Sequence, residues 1–125
     1  MASIGNVKLE LVNHNHKNHT ATLKVSYTAY FRAVEKNMSG LRFREKIELW
    51  GADSTSSDDY LYTFYTNYFS VPSSGSKNRE RTVTVGDDVL DEDWWGTDDI
   101  YAKVWITPIL PSGYYRKSNE IHHSF

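Results

Sequence analysis

The 125-residue chain has no cysteine, which excludes disulfides, thiolate zinc sites and cysteine nucleophiles. It holds only three prolines, and no run approaches the ~18 consecutive apolar residues of a membrane-spanning helix. An excess of one charge sign is missing too. Lys and Arg number 14 against 16 Asp and Glu, for a net charge of −2 and a pI near 6.2. The whole-chain field therefore draws the protein neither to nucleic acid nor to an anionic membrane. Met1 to Asn6 lacks the basic and apolar regions of a signal peptide, so the chain reads as soluble and unprocessed. There is no G-x-S-x-G, no phosphate-cradling glycine loop and no H-E-x-x-H. Carboxylates placed in end loops of a small domain lack the cleft that glycosidase acids need, and a non-catalytic protein is expected.

What is abundant is aromatic: nine Tyr, five Phe and four Trp, more than a plain enzyme core uses. The dominant periodicity is two, the signature of half-buried strands. Val7, Leu9 and Leu11 alternate with Lys8 and Glu10; Ala21, Leu23, Val25, Tyr27, Ala29 and Phe31 alternate with polar residues. Leu41, Phe43, Ile47 and Leu49 form a third such row, and Ile100, Ala102, Val104 and Ile106 another. Tyr60 to Val71, Arg79 to Val85 and Tyr114 to Ile121 carry the Tyr, Phe, Thr and Val that suit a pleated surface. The only helical piece expected is a turn around Val89 to Trp94.

Seven or eight strands at this spacing predict an all-β fold, a single antiparallel β-sandwich spanning residues 1–125. The pattern resembles an immunoglobulin-like sandwich, and that resemblance would make Tyr101, near the start of the sixth strand, a tyrosine corner. In such a topology successive loops alternate between the two ends. His14 to His19, Gly51 to Asp59 and Gly86 to Asp99 then share one end, and the last two hold all nine aspartates of the chain. Lys36, Lys77 and Arg79 fall to the other end, so the molecule is expected to be electrically polarised.

Asp87, Asp88, Asp91, Glu92, Asp93, Asp98 and Asp99 crowd one stretch without a base, which stores repulsion that solvation or a hard cation relieves. Val89 to Ile100 resembles the third acidic loop of C2 domains, where an Asp-x-Asp pair and a further Asp six residues on chelate calcium. The resemblance implies a C2-like sandwich as the alternative to an immunoglobulin-like one and Asp91, Asp93 and Asp99 as ligands, with Asp53, Asp58 and Asp59 of the neighbouring loop as candidate metal ligands at the same end. The alternative is that these are solvated turn residues, since Asp favours turns through its own backbone hydrogen bonds. His14 and His16 form an H-x-H pair, a geometry suited to zinc or copper, which His19 could join; a polar turn is the simpler account.

Tyr60, Tyr62, Phe64 and Tyr68 are expected on one face of the fourth strand and Leu61, Tyr65, Phe69 and Val71 on the other. One face must then be exposed, and with Trp94 it forms a candidate surface for a ligand or partner. Three functions follow as expectations: a calcium-binding assembly module with a protein partner or self-association, a carbohydrate-binding module stacking glycan on Tyr and Trp, or a structural domain without a ligand.

Overall fold

In a computed structural model of the chain, residues 2–52, 57–90, 99–111, 113 and 115–124 are described. The elements in chain order are β1 (Ser3–Asn15), β2 (Thr20–Tyr30), α1 (Ala33–Lys36), β3 (Arg42–Gly51), β4 (Asp59–Thr63), β5 (Asn67–Ser70), β6 (Ser76–Gly86), α2 (Asp87–Leu90) and β7 (Ile100–Ile109). Two antiparallel sheets pack face to face. One has the order β1-β2-β6; in the other β3 is central, with β4 and β5 on one side and β7 on the other. Among the described residues no helix is long and apolar enough to cross a membrane.

The alternating rows read from the sequence form the interior. Ala21, Leu23, Val25, Tyr27, Ala29 and Phe31 of the β2 row and Leu41, Phe43, Ile47 and Leu49 of the β3 row are buried. At one end Phe31, Phe43 and Phe69 meet with ring centroids 5.1 to 6.1 Å apart, tilted, edge-on and stacked.

Three expectations about elements are corrected. Tyr60 to Val71 is not one strand, because the chain leaves the ladder between Thr63 and Asn67 and β5 pairs further along β3. Residues 115–124 form no strand, and the segment is exposed throughout. The helical turn begins at Asp87, two residues before Val89, and is described as far as Leu90, while Asp91 to Trp94 lie outside the described residues. An unexpected turn, α1, closes the β2–β3 connection, with the Glu35 carboxylate accepting the Arg32 amide at 2.9 Å.

The inward row of β3 has a charge in it. Glu45 is 0% exposed, between Phe43 and Ile47. It accepts hydrogen bonds from the Tyr27 hydroxyl, from Arg79 Nε at 2.7 Å and from Arg81, so donors on β2 and β6 converge on it from the facing sheet. Arg79 lies over Phe69 at 4.2 Å, and Arg81 also donates to the Tyr65 carbonyl at 3.0 Å. Arg79, expected at an end loop, is thus part of an inter-sheet clamp. Burial alone raises the Glu45 pKa, but the hydrogen bonds from Arg79 and Tyr27, the charge of Arg79 and the bond from Arg81 outweigh it, leaving it below the ordinary 4.5. The same burial and the carboxylate push the Tyr27 phenol well above its usual range.

Removing the carboxylate leaves two arginines and a phenol without their partner, so Glu45→Ala should lose about 3 kcal/mol in denaturant unfolding, the lower end of the cost of breaking a buried pair. Because the folded pKa is lowered, this stabilisation is present above the unfolded value and is lost as pH falls through the folded one. Wild type should therefore destabilise more steeply than Glu45→Gln on acidification below pH 4.5; parallel stability curves would contradict it.

Candidate functional site

The outward residues of the second sheet are set by the same alternation that buries its inner row. Arg42, Arg44, Lys46, Glu48 and Trp50 point out from β3, and the register places Lys46 opposite Trp105, Glu48 opposite Lys103 and Trp50 opposite Tyr101. On the other side Trp50 faces Tyr60, Glu48 faces Thr63 and Arg44 faces Tyr68. Directly opposed residues share a face, so five aromatics and four cations are gathered on one sheet surface, with the Glu48 carboxylate in the same outward row.

These side chains interleave. Lys103 Nζ lies 3.8 Å from the Trp50 ring centroid, Lys46 Nζ 4.4 Å from that of Trp105, and the Arg42 guanidinium 5.5 Å from that of Tyr68. Trp50 meets Tyr60 edge-on at 5.9 Å and donates its indole N–H to Glu48 at 3.0 Å. Glu48 also receives Lys46 at 3.6 Å. The Tyr60 hydroxyl bonds Thr63. The result is a platform of aromatic rings whose tilt is fixed by neighbours and whose cations carry donors toward solvent. Planar, partly apolar rings suit the apolar face of a sugar, and ammonium or guanidinium groups beside them suit anions.

Of the residues expected on an exposed aromatic row, Tyr60 and Tyr68 are there, but Phe64 is only 3% exposed. The register shifts between Leu49 and Trp50, and this β-bulge turns the alternation over: Tyr62 lies opposite buried Leu49 and approaches Phe64 edge-on at 6.2 Å. Tyr65, assigned to the same side as Phe69, is instead 85% exposed at the break between β4 and β5, while Phe69 is buried. Trp94 lies outside the described residues. Trp50, Trp105 and the cations of β3 and β7 were not singled out from the sequence. The available signal was the run Arg42-x-Arg44-x-Lys46-x-Glu48-x-Trp50, which puts the charged residues and an indole in one outward row.

The acidic pole forms at the end expected from chain order. Thr20 pairs with Gly86, and the Asp87 amide donates to the His19 carbonyl at 2.8 Å. Gly51 is paired with Asp59 on one side and Ile100 on the other, and the Ala52 amide donates to the Asp99 carbonyl at 2.8 Å. α2 packs against both β4 and β6 and ties the two sheets together there. Asp58 is held by the Tyr101 hydroxyl, 2.5 Å away, so Tyr101 docks on a side chain and not on the backbone as a tyrosine corner does. That hydrogen bond raises the phenol's pKa above its ordinary value. Asp53, Asp91 and Asp93 lie outside the described residues.

His14 Nε2 lies 3.2 Å from Asp87 Oδ2, His19 Nδ1 lies 3.8 Å from the same oxygen, and the His14 and His16 rings lie 4.0 Å apart, tilted by 37°. Among the described residues the acid that meets the histidines is Asp87 of α2. Among the described residues no three His, Asp or Glu side chains converge in a metal-holding arrangement.

No family model, curated protein or solved structure matches this chain.

In an Asp58→Asn variant the Tyr101 phenol should titrate at lower pH than in wild type, closer to the ordinary 10.0, as read from its ring Cζ chemical shift. An unchanged titration would mean that the pair does not form.

Proposed function

We propose that the chain is a non-catalytic β-sandwich binding module that takes an acidic glycan on the outer face of the β4/β5-β3-β7 sheet. The observation that carries this reading is the interleaving of Trp50, Trp105, Tyr60 and Tyr68 with Arg42, Arg44, Lys46 and Lys103 on one face. The choice of an acidic glycan over a neutral one follows from the cations over the rings. A sugar stacking on Trp50 or Trp105 displaces Lys103 or Lys46, forfeiting about 0.5–1 kcal/mol at each exposed ring. A uronate or sulfate on the same ligand gives the displaced ammonium a new partner; a neutral sugar does not. Single-stranded nucleic acid also stacks on aromatics, but it needs a positive groove along its backbone. Here the cationic row runs into Asp58, Asp59 and Asp99 at one end.

Titration calorimetry with a heparin or polygalacturonate oligosaccharide should show binding that weakens as salt rises. Trp105→Ala and Lys46→Ala should each lower the affinity at least about tenfold, equivalent to roughly 1.4 kcal/mol. As outward substitutions they should change unfolding stability by less than about 1 kcal/mol. Absence of binding, or tighter binding of a single-stranded oligonucleotide, would overturn the reading.

Calcium at the acidic pole is a second reading, favoured by one observation: pairing brings Asp59 and Asp99 to the two sides of Gly51. Oxygen donors from separate strands suit a hard cation. Millimolar Ca²⁺ should then raise the melting temperature, and an Asp59→Asn, Asp99→Asn double variant should lose the rise. A flat response in wild type would remove calcium from the account.

A further inference from the structure

A strand at the edge of a sheet presents unpaired backbone donors and acceptors, and stable proteins blunt such edges with bulges, short strands or inward-pointing charge. Three of the edges here are blunted in these ways. β1 carries register shifts between Gly5 and Lys8 and between Leu11 and Asn13. β6 points Arg79 and Arg81 inward, and the remaining edge is split between the short strands β4 and β5. β7 has none of these devices. It runs for ten residues in unbroken register with β3, pairs with no other strand among the described residues, and points the uncharged Ala102, Val104 and Ile106 inward. Only Pro108, which has no N–H, limits its ladder, to Ile100 through Thr107.

The core is also left uncovered beside this edge. Leu11 of β1 lies opposite Leu23 and so on the same face, yet Leu11 is 60% exposed where Leu23 is 4%. Ala102, Val104 and Ile106 are only half-buried, whereas their partners on β3 are fully enclosed. β1 and β7 approach each other across this flank, yet these apolar residues stay partly exposed, so the flank is incompletely covered while the outer edge of β7 is unpaired among the described residues.

The segment that follows β7 has the length to fill such a gap: residues 115–124, fully extended, span about 33 Å, more than Ile100 to Thr107 need. It does not fill its own. Pro111 packs against Gly40, the position reached by continuing the Arg42–Ile109 register two steps further, so the chain runs straight on past the end of its sheet. From these observations we infer that residues 115–124 add as an antiparallel eighth strand to the β7 edge of a second copy, with Tyr115 and Ile121 in the row that covers the open flank, and that the exchange is reciprocal in a dimer.

This inference does not depend on the glycan reading, and its test needs no ligand. Sedimentation of the intact chain at tens of micromolar should give a dimer, and hydrogen exchange should show protected β7 amides on the side away from β3. Tyr115→Asp with Ile121→Asp should give a monomer in which that protection is lost. Both residues are exposed outside the sandwich, so the monomer should keep the wild-type circular dichroism of its strands. Three results would overturn the inference: a monomeric wild type with exchanging β7 amides, a monomeric wild type with protected ones, which would mean closure by its own segment, or a double variant that stays dimeric, which would mean direct edge-to-edge pairing.

Discussion

The two sheets are held in one relative position by a carboxylate that has nowhere else to go. A fully enclosed anion is tolerable only if its lone pairs are filled, and Glu45 is filled by Tyr27, Arg79 and Arg81, all from the opposite sheet. Apolar packing alone permits small slips of one sheet over the other at little cost, because methyl groups have no preferred partner. A carboxylate with three donors in fixed positions does not. The clamp therefore sets the register of β2 and β6 against β3, and with it the positions of the strands that β3 pairs on either side.

The clamp also makes the sandwich lopsided. On the flank where β6 faces β5, Arg79 covers Phe69 and Arg81 reaches the Tyr65 carbonyl, so guanidinium groups seal the interior. On the other flank β1 and β7 approach each other, but among the described residues no guanidinium seals the gap and the apolar residues there remain half-exposed. A long charged side chain covers apolar surface with its stem while keeping its head hydrated or paired, which lets one edge be closed without another strand.

The interior was largely legible from alternation, because β2 and β3 are central strands buried on one face and their periodicity of two maps straight onto inside and outside. That the described aspartates Asp58, Asp59, Asp87 and Asp99 fall at one end was legible for a related reason: chain reversal at every strand end sends alternate loops to one pole. What could not be read was whatever depends on register. Leu49 and Trp50 straddle a bulge, a one-residue event that turned Tyr62 and Phe64 inward and left Tyr60 outside. Glu45 interrupts the apolar row of β3 as a single residue, and only its partners, 18, 34 and 36 positions away, explain it. The segment after β7 has strand composition but no strand, since composition reports suitability for pairing and cannot supply a partner.

Net charge proved a poor guide to the surface for a physical reason. The value of −2 sums two regions of opposite sign that ionic strength separates. From Arg42 to Trp50 the outer row of β3 extends about 26 Å at strand rise, roughly three times the ~8 Å screening length of physiological salt. A ligand arriving over Arg42, Arg44 and Lys46 therefore feels those cations and little of Asp59 or Asp99 beyond the strand's far end. The aspartates keep the whole molecule mildly acidic and limit unspecific attraction to polyanions at long range, while at contact distance the sheet face is cationic. A long, uniformly charged polymer must cross both regions and meets repulsion at the pole, whereas a short acidic ligand can lie entirely within the cationic stretch. If the face takes an acidic glycan as proposed, the segregation of charge along β3 would select it by length as well as by sign.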